Sequence, residues 1–249
     1  APFHLWAPDV YEGAPTSVTA FFAIVPKIAI LSLVVRLFSY VFYGLLLPWQ
    51  EVLILCSIIS MIIGTLGALW QTKIKRLLAY SGIGHIGYML IGISTGSIEG
   101  IYSTFFYVII YIIMTVATFS ILLSIRKQGN LSKIKYINDL SGLFISNPQL
   151  ALSFSLIMFS MCGIPPLAGF FSKMFIFISA INMEMYFLAI IGVMTSVVAS
   201  FYYIRIIKLM FFDSVTRINN LNTISKENSL FLSFCCIFLM SFFLWPTPI

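Results

Sequence analysis

Two lysines and one histidine carry most of the chemistry that this 249-residue sequence offers. Lys27 lies directly behind Pro26 and twelve residues after Pro15, His85 sits within "SGIGHIGYML", and Lys173 closes "GIPPLAGFFSK". All three fall deep in long apolar stretches. An ionised lysine at the centre of a membrane helix costs about 2.5–3.5 kcal/mol, and two roughly double that. Amines and an imidazole kept in such places can take up and release protons, so the chemistry they suggest is proton transfer. The plainer explanation is snorkelling, in which a long side chain lifts its charge to the interface. It suits Arg36 and Lys208, within about two turns of a helix end, but Lys27 is too far from either interface. A lone membrane histidine is often only an interhelical hydrogen-bonder. Lys75 is a fourth candidate, although it opens its apolar run from a basic loop and sidedness alone could account for it.

The elements that hold these groups follow from composition. The chain is 60% hydrophobic and 9% charged, against about 25% charged residues in soluble domains. Apolar runs of about 20 residues recur, each long enough to cross a hydrocarbon core of about 30 Å. They are solidly apolar rather than alternating, which predicts helices and not a barrel. Acidic and proline-rich residues precede the first run, so no signal peptide is expected there. The expected fold class is therefore an all-α membrane protein.

Breaks at Pro, Gly and charge clusters predict seven spans, at 16–43, 49–70, 75–95, 100–125, 149–181, 184–212 and 229–246. The first is long enough to need tilt or a kink, which Pro26 would supply. The loops sort by charge. One side collects residues 1–15, 71–74, 126–148 and 213–228, with Lys73, Lys75, Arg76, Arg126, Lys127, Lys133, Lys135, Lys208, Arg217 and Lys226 in or beside them. The other has three turns with Glu51, Glu99 and Glu184 and no lysine or arginine. The positive-inside rule puts the basic side in the matrix or cytoplasm. Basic residues in such loops need no nucleic acid to explain them.

The fifth run, 149–181, is too long for one straight crossing. Gly163, Pro165, Pro166 and Gly169 predict two half-helices joined by a break. Such breaks, beside ionisable groups at the midplane, mark transporter sites. Lys173 is expected in the first turn of the second half-helix. There the positive dipole end and desolvation both oppose its cation, so the amine could shed a proton.

Other motifs are discounted. Gly82-Ile83-Gly84-His85-Ile86-Gly87 fits GxGxxG, but no strand precedes it and no acidic residue closes a dinucleotide site. These glycines, with Gly92, Gly96 and Gly100, instead predict close helix contacts. Cys56, Cys162, Cys235 and Cys236 lie in apolar spans without metal-ligand spacing and are expected as small hydrophobes. Trp6, Trp49, Trp70 and Trp245 fall near predicted interfaces. The sequon at Asn130 lies in the most basic loop and is treated as chance.

"PFHLWAPDVYEGAPTSVTAFFAIVPKIAI" (2–30), "QTKIKRLLAYSGIGHIGYMLIG" (71–92) and "GIPPLAGFFSKMFIF" (163–177) resemble the antiporter-like membrane subunits of respiratory complex I, the proton-pumping NADH:ubiquinone oxidoreductase, and the first is characteristic of its subunit 2 class. The second and third also look like cation/proton antiporters. The likeness covers essentially the whole chain but only the second half of the family's length. It implies two inverted five-helix repeats, of which this chain holds the second whole. Residues 1–15 would be the end of a discontinuous helix and a loop, 16–43 the last helix of the first repeat, 49–212 the second repeat, and 213–249 a loop and a carboxy-terminal helix.

By this resemblance Lys27 closes the first repeat's proton channel, Lys173 is the broken-helix lysine of the second, His85 lies on the path between them, and Lys75 stands at the foot of the histidine helix. The family's upstream lysine and glutamate would precede Ala1, which implies a split gene or a truncated chain. The implied function is proton translocation in the mitochondrial inner membrane, multi-pass, with basic loops facing the matrix. No cofactor or metal is expected on this chain; NADH, FMN, iron–sulfur clusters and quinone would belong to other subunits of the complex. Implied partners are a separate chain supplying the amino-terminal half, other antiporter-like and small membrane-arm subunits, and lipids, cardiolipin among them, but no nucleic acid. The alternatives are a stand-alone cation/proton antiporter and a non-pumping structural piece of the complex.

Overall fold

A computed structural model describes residues 1–125, 135–213 and 225–242. Arg126, Lys127, Lys133, Arg217, Trp245, the Asn130 sequon and the end of the seventh expected span lie outside the described residues. Among the described residues the chain is all-α. A short helix α1 (Trp6–Gly13) leads into α2 (Thr16–Arg36), which runs on through a π turn, Leu37–Val41. Then come α3 (Leu46–Leu69), α4 (Ile74–Ser94) and α5 (Ile98–Ser124). After a 3-10 turn at Ile137–Leu140 and the short α6 (Leu143–Ser146) follow α7 (Pro148–Cys162), α8 (Ala168–Asn182), α9 (Tyr186–Phe211) and α10 (Lys226–Ser241). Among the described residues five helices are long and apolar enough to cross a membrane: α2 with its π turn, α3, α4, α5 and α9. Helices α7 and α8 are shorter and apolar, and divide the fifth expected span between them.

The break is made by a glycine cap. Gly163 ends α7 at φ +86°, a left-handed conformation open to glycine at little cost. The Gly163 N–H donates to Ser160 O at 3.1 Å and the Ile164 N–H to Phe159 O at 3.2 Å, the paired bonds of a Schellman cap. Pro165 and Pro166 cannot extend the ladder. At the start of α8 the Gly169 N–H donates to Ser160 Oγ at 3.2 Å, so one of its orphan donors is satisfied by α7.

Helix α4 occupies the centre, and most of its residues are buried. Glycines let α3 approach it: a Cβ on Gly64 would lie 2.5 Å from the Gly84 backbone N, and one on Gly87 2.6 Å from Met61 Cγ. Gly92 and Gly100 make the same kind of contact between α4 and α5. Gly96 does not; at φ +64° it forms the turn between those helices. All four cysteines are free thiols, with Cys162 and Cys235 buried.

Contacts between loops agree with the charge sorting. The Ile74 N–H donates to Lys135 O and the Ile137 N–H to Thr72 O, so residues 71–74 and 135–137 share a side. Helix α1 joins them: Glu12 pairs with Lys73 and Arg76, and Asp9 with Arg76. At the other ends of the helices Asn182 Nδ2 donates to Glu99 Oε2 at 3.1 Å. Lys73 and Arg76 therefore anchor α1.

Candidate proton-transfer site

The structure draws Lys27, His85 and Lys173 into one interior row. Lys27, on α2, is half-buried, and its Nζ donates to the Tyr111 hydroxyl on α5 at 2.7 Å. The ammonium also lies 5.0 Å from the Tyr111 ring centroid. Gly82 makes room for it: a Cβ there would stand 2.5 Å from Lys27 Nζ and 3.3 Å from Tyr111 Oη. The first glycine of the GxGxxG pattern thus clears a space for an amine instead of cradling a phosphate.

His85 lies next in the row, on α4 and 4% exposed. Its Nδ1 is 2.7 Å from the Tyr107 hydroxyl of α5, and its Nε2 is 3.1 Å from the Tyr203 hydroxyl of α9. In the neutral imidazole one nitrogen donates and the other accepts, so the two tyrosines must take opposite roles. The Tyr111 and His85 rings are 5.2 Å apart between centroids. A small cavity of about 10 Å³ borders Ser81, His85, Tyr111, Thr115 and Thr118, about the volume that one water needs.

Lys173 ends the row, 6% exposed. Here the structure corrects the sequence. Lys173 is the sixth residue of α8 and so lies in its second turn, not its first. Side chains on a helix lean towards its amino terminus, and Nζ reaches back to donate to Cys162 O at 2.7 Å and Met161 O at 3.2 Å. These are last-turn carbonyls of α7, the negative end of the first half-helix. The break therefore offers the ammonium acceptors at the negative end of α7. A Cβ on Gly163 would meet Lys173 Nζ and Cδ at 3.1 Å, so the cap residue also shapes this pocket. Nζ lies 5.3 Å from the Tyr88 ring centroid, and the Tyr88 ring is 6.3 Å from that of His85.

Lys75 stands apart from the row. It is the second residue of α4, and its Nζ donates to Ala14 O, just beyond α1, at 2.7 Å. Of the remaining candidates, Gly163, Pro165, Pro166 and Gly169 fall in the break or at the start of α8, and Pro26 lies within α2.

The tyrosines are what sequence reasoning missed. Tyr88, Tyr107, Tyr111 and Tyr203 are each at most 3% exposed, and they surround the three titratable groups. The signal was present: Tyr107 and Tyr111 are four apart on one face of α5, and Tyr88 follows His85 by three. Arg205 was also passed over; its Nη1 lies 3.5 Å from Leu69 O, near the end of α3. Hydroxyls of this kind can pass a proton along by giving up one and accepting another, with no net charge left behind. Among the described residues no three His, Cys, Asp or Glu side chains gather where they could hold a metal ion.

Comparison with known proteins agrees with this architecture. Residues 1–199 match the family described as NADH:quinone oxidoreductase/Mrp antiporter, TM. All of the chain aligns at 51% identity with half of NADH-ubiquinone oxidoreductase chain 2 of Marchantia polymorpha. NADH-quinone oxidoreductase subunit N of Rhodospirillum rubrum is 54% identical over 86% of this chain and 44% of its own length. A chain of respiratory complex I from Thermus thermophilus with bound aureothin superposes over 99% of this chain and 53% of its own, at TM-score 0.80 and 32% identity. A chain of the Mrp complex from Dietzia shares the fold at TM-score 0.85 and 21% identity, over 98% of this chain and 53% of its own. The chain spans about half the length of the relatives it matches. It belongs to the NADH:quinone oxidoreductase/Mrp antiporter family of transmembrane proteins.

Proposed function

We propose that this chain is the carboxy-terminal part of the second antiporter-like subunit of mitochondrial NADH:ubiquinone oxidoreductase, and that it carries protons along Lys27, Tyr111, His85 and Lys173. The single observation behind this reading is the row itself: two amines and an imidazole in the interior among buried tyrosines, with Lys27 bonded to Tyr111 and His85 to Tyr107 and Tyr203. Lys27 hands a proton to, or takes one from, the Tyr111 hydroxyl. The small cavity that borders both Tyr111 and His85 would hold the one water needed to continue the path. From there it passes Tyr88 to Lys173, whose ammonium rests on the α7 carbonyls when charged. Lys75 lies at the foot of α4 and would serve the path from the basic side.

On this reading residues 16–43 close one repeat and 49–212 form the next, the remainder of the first repeat being supplied by residues beyond this sequence. The basic loops face the matrix. NADH, FMN, iron–sulfur clusters and quinone act in other subunits, whose redox chemistry drives proton movement here. Neighbouring antiporter-like and small membrane-arm subunits, with lipids such as cardiolipin, would cover the exposed apolar faces of α2, α3 and α9.

The test is Lys173→Met in the intact complex, reconstituted in sealed vesicles. Fewer protons moved per electron, with the complex assembled, is the expected result. An unchanged proton-to-electron ratio would refute the reading.

A further inference from the structure

Pro26 withdraws a hydrogen bond from α2. A proline has no N–H, so the carbonyl four residues earlier, that of Phe22, loses its intrahelical donor. Inside a membrane such a carbonyl needs another partner, either protein or water. The structure supplies one from a different helix: the Tyr11 hydroxyl of α1 donates to Phe22 O at 3.2 Å. Tyr11 is 4% exposed, so this replacement is itself sheltered. One residue beyond Pro26 is Lys27, held to Tyr111 at 2.7 Å.

Tyr11 is in turn fixed firmly. The Thr19 hydroxyl donates to Tyr11 O at 3.2 Å, tying α1 to the first turns of α2. The acidic side chains of α1, Asp9 and Glu12, pair with Arg76 and Lys73 at the foot of α4. Gly82, which faces the Lys27 ammonium, lies on that same helix α4.

We propose that Tyr11 is a positioning residue: it supplies the hydrogen bond that Pro26 removes and thereby fixes where α2 presents Lys27 to Tyr111. The inference rests on the reading of Lys27 as a proton-transfer group. It adds that α1, which holds none of the row's ionisable groups, sets the row's first contact. Without the tyrosine hydroxyl the Phe22 carbonyl turns towards water, α2 bends freely at Pro26, and Lys27 spends less time on Tyr111. A hydrogen bond of ordinary net strength shifts such an equilibrium by about fivefold.

The test is a double-mutant cycle in the intact complex with Tyr11→Phe, Pro26→Ala and their combination. An alanine at position 26 restores the amide N–H, so Phe22 O regains its intrahelical donor and the Tyr11 hydroxyl becomes dispensable. Tyr11→Phe alone should lower proton pumping about fivefold at equal assembly. The double variant should pump as well as Pro26→Ala alone. Pumping unchanged by Tyr11→Phe, or losses that multiply in the double variant, would overturn the proposal. If Tyr11→Phe fails to assemble, recovery of assembly in the double variant reports the same coupling, and failure to recover overturns it. The Lys27 Nζ to Tyr111 Oη distance, read from structures of the three variants, tests the geometry without reference to pumping: it should lengthen in Tyr11→Phe and recover in the double variant. Lys27→Met separates the two levels. Normal pumping in that variant removes the role of Lys27, while the distances still decide that of Tyr11.

Discussion

Gly82→Ala is the smallest change that should stop the proposed row without harming the fold. The new Cβ would stand 2.5 Å from Lys27 Nζ, and ordinary contact begins near 3.4 Å, so the amine must retreat by 3.4 − 2.5 = 0.9 Å. The Tyr111 hydroxyl, 3.3 Å from the same point, must also give slightly. A 2.7 Å bond between these two groups does not survive such displacement in its present form. A hydrogen bond to a charged group contributes about 1.5–3 kcal/mol. Its loss lowers the bonded population by on the order of tenfold to a hundredfold. The fold gains instead, since alanine is favoured over glycine in a helix by about 1 kcal/mol, and the displaced atom is the free end of a flexible chain. The assay is proton uptake and quinone reduction by sealed vesicles containing assembled complex. Gly84→Ala is the control, because a Cβ there meets nothing within 4 Å. Gly82→Ala should assemble normally and pump at least tenfold more slowly, while Gly84→Ala matches wild type. Equal pumping by Gly82→Ala and wild type, or equal loss in both variants, would refute the reasoning.

Gly64→Ala should do the opposite, preventing assembly of the complex, because its Cβ would lie 2.5 Å from the Gly84 backbone N, which has no freedom to retreat; blue-native gels would read this. The Glu12 carboxyl, on α1 outside the membrane spans, is held below the ordinary carboxylate range, first by the hydrogen bond from Lys73 and then by the charges of Lys73 and Arg76. A depressed folded-state pKa means that its contribution is present above the unfolded value of about 4.3 and is lost as pH falls through the folded value. Melting temperatures of wild type and Glu12→Gln should therefore differ at neutral pH and converge in acid, and a constant difference would contradict the ion pair.

Much of the row was legible because burying charge is costly. Lys27, His85 and Lys173 stand out in apolar runs, and Gly163 with Pro165 and Pro166 announces a broken helix in any membrane sequence. What stayed hidden depends on contacts between distant segments. Tyr111 looks like one more aromatic in a chain that is 16% aromatic, and only packing brings it to Lys27, 84 residues away. The acceptors of Lys173 went unseen because position on a helix was read without side-chain direction: a lysine near the start of α8 leans back across the break to α7. Arg76 and Lys73 were absorbed by the sidedness rule, which explains why basic residues collect there but not that Asp9 and Glu12 return to meet them. Gly96 shares the spacing of Gly92 and Gly100, and spacing cannot distinguish a helix face from the turn that ends it.

A path in series makes a demand that separate channels do not. Once Lys27 is neutral and inert, a further block at Lys173 stops nothing that is still moving. The decisive measurement is the proton-to-electron ratio of Lys27→Met, Lys173→Met and the double variant, in intact complex at matched assembly. One row through both amines predicts that the double variant pumps no worse than the weaker single variant. Losses that multiply, or either single variant pumping like wild type, would contradict it.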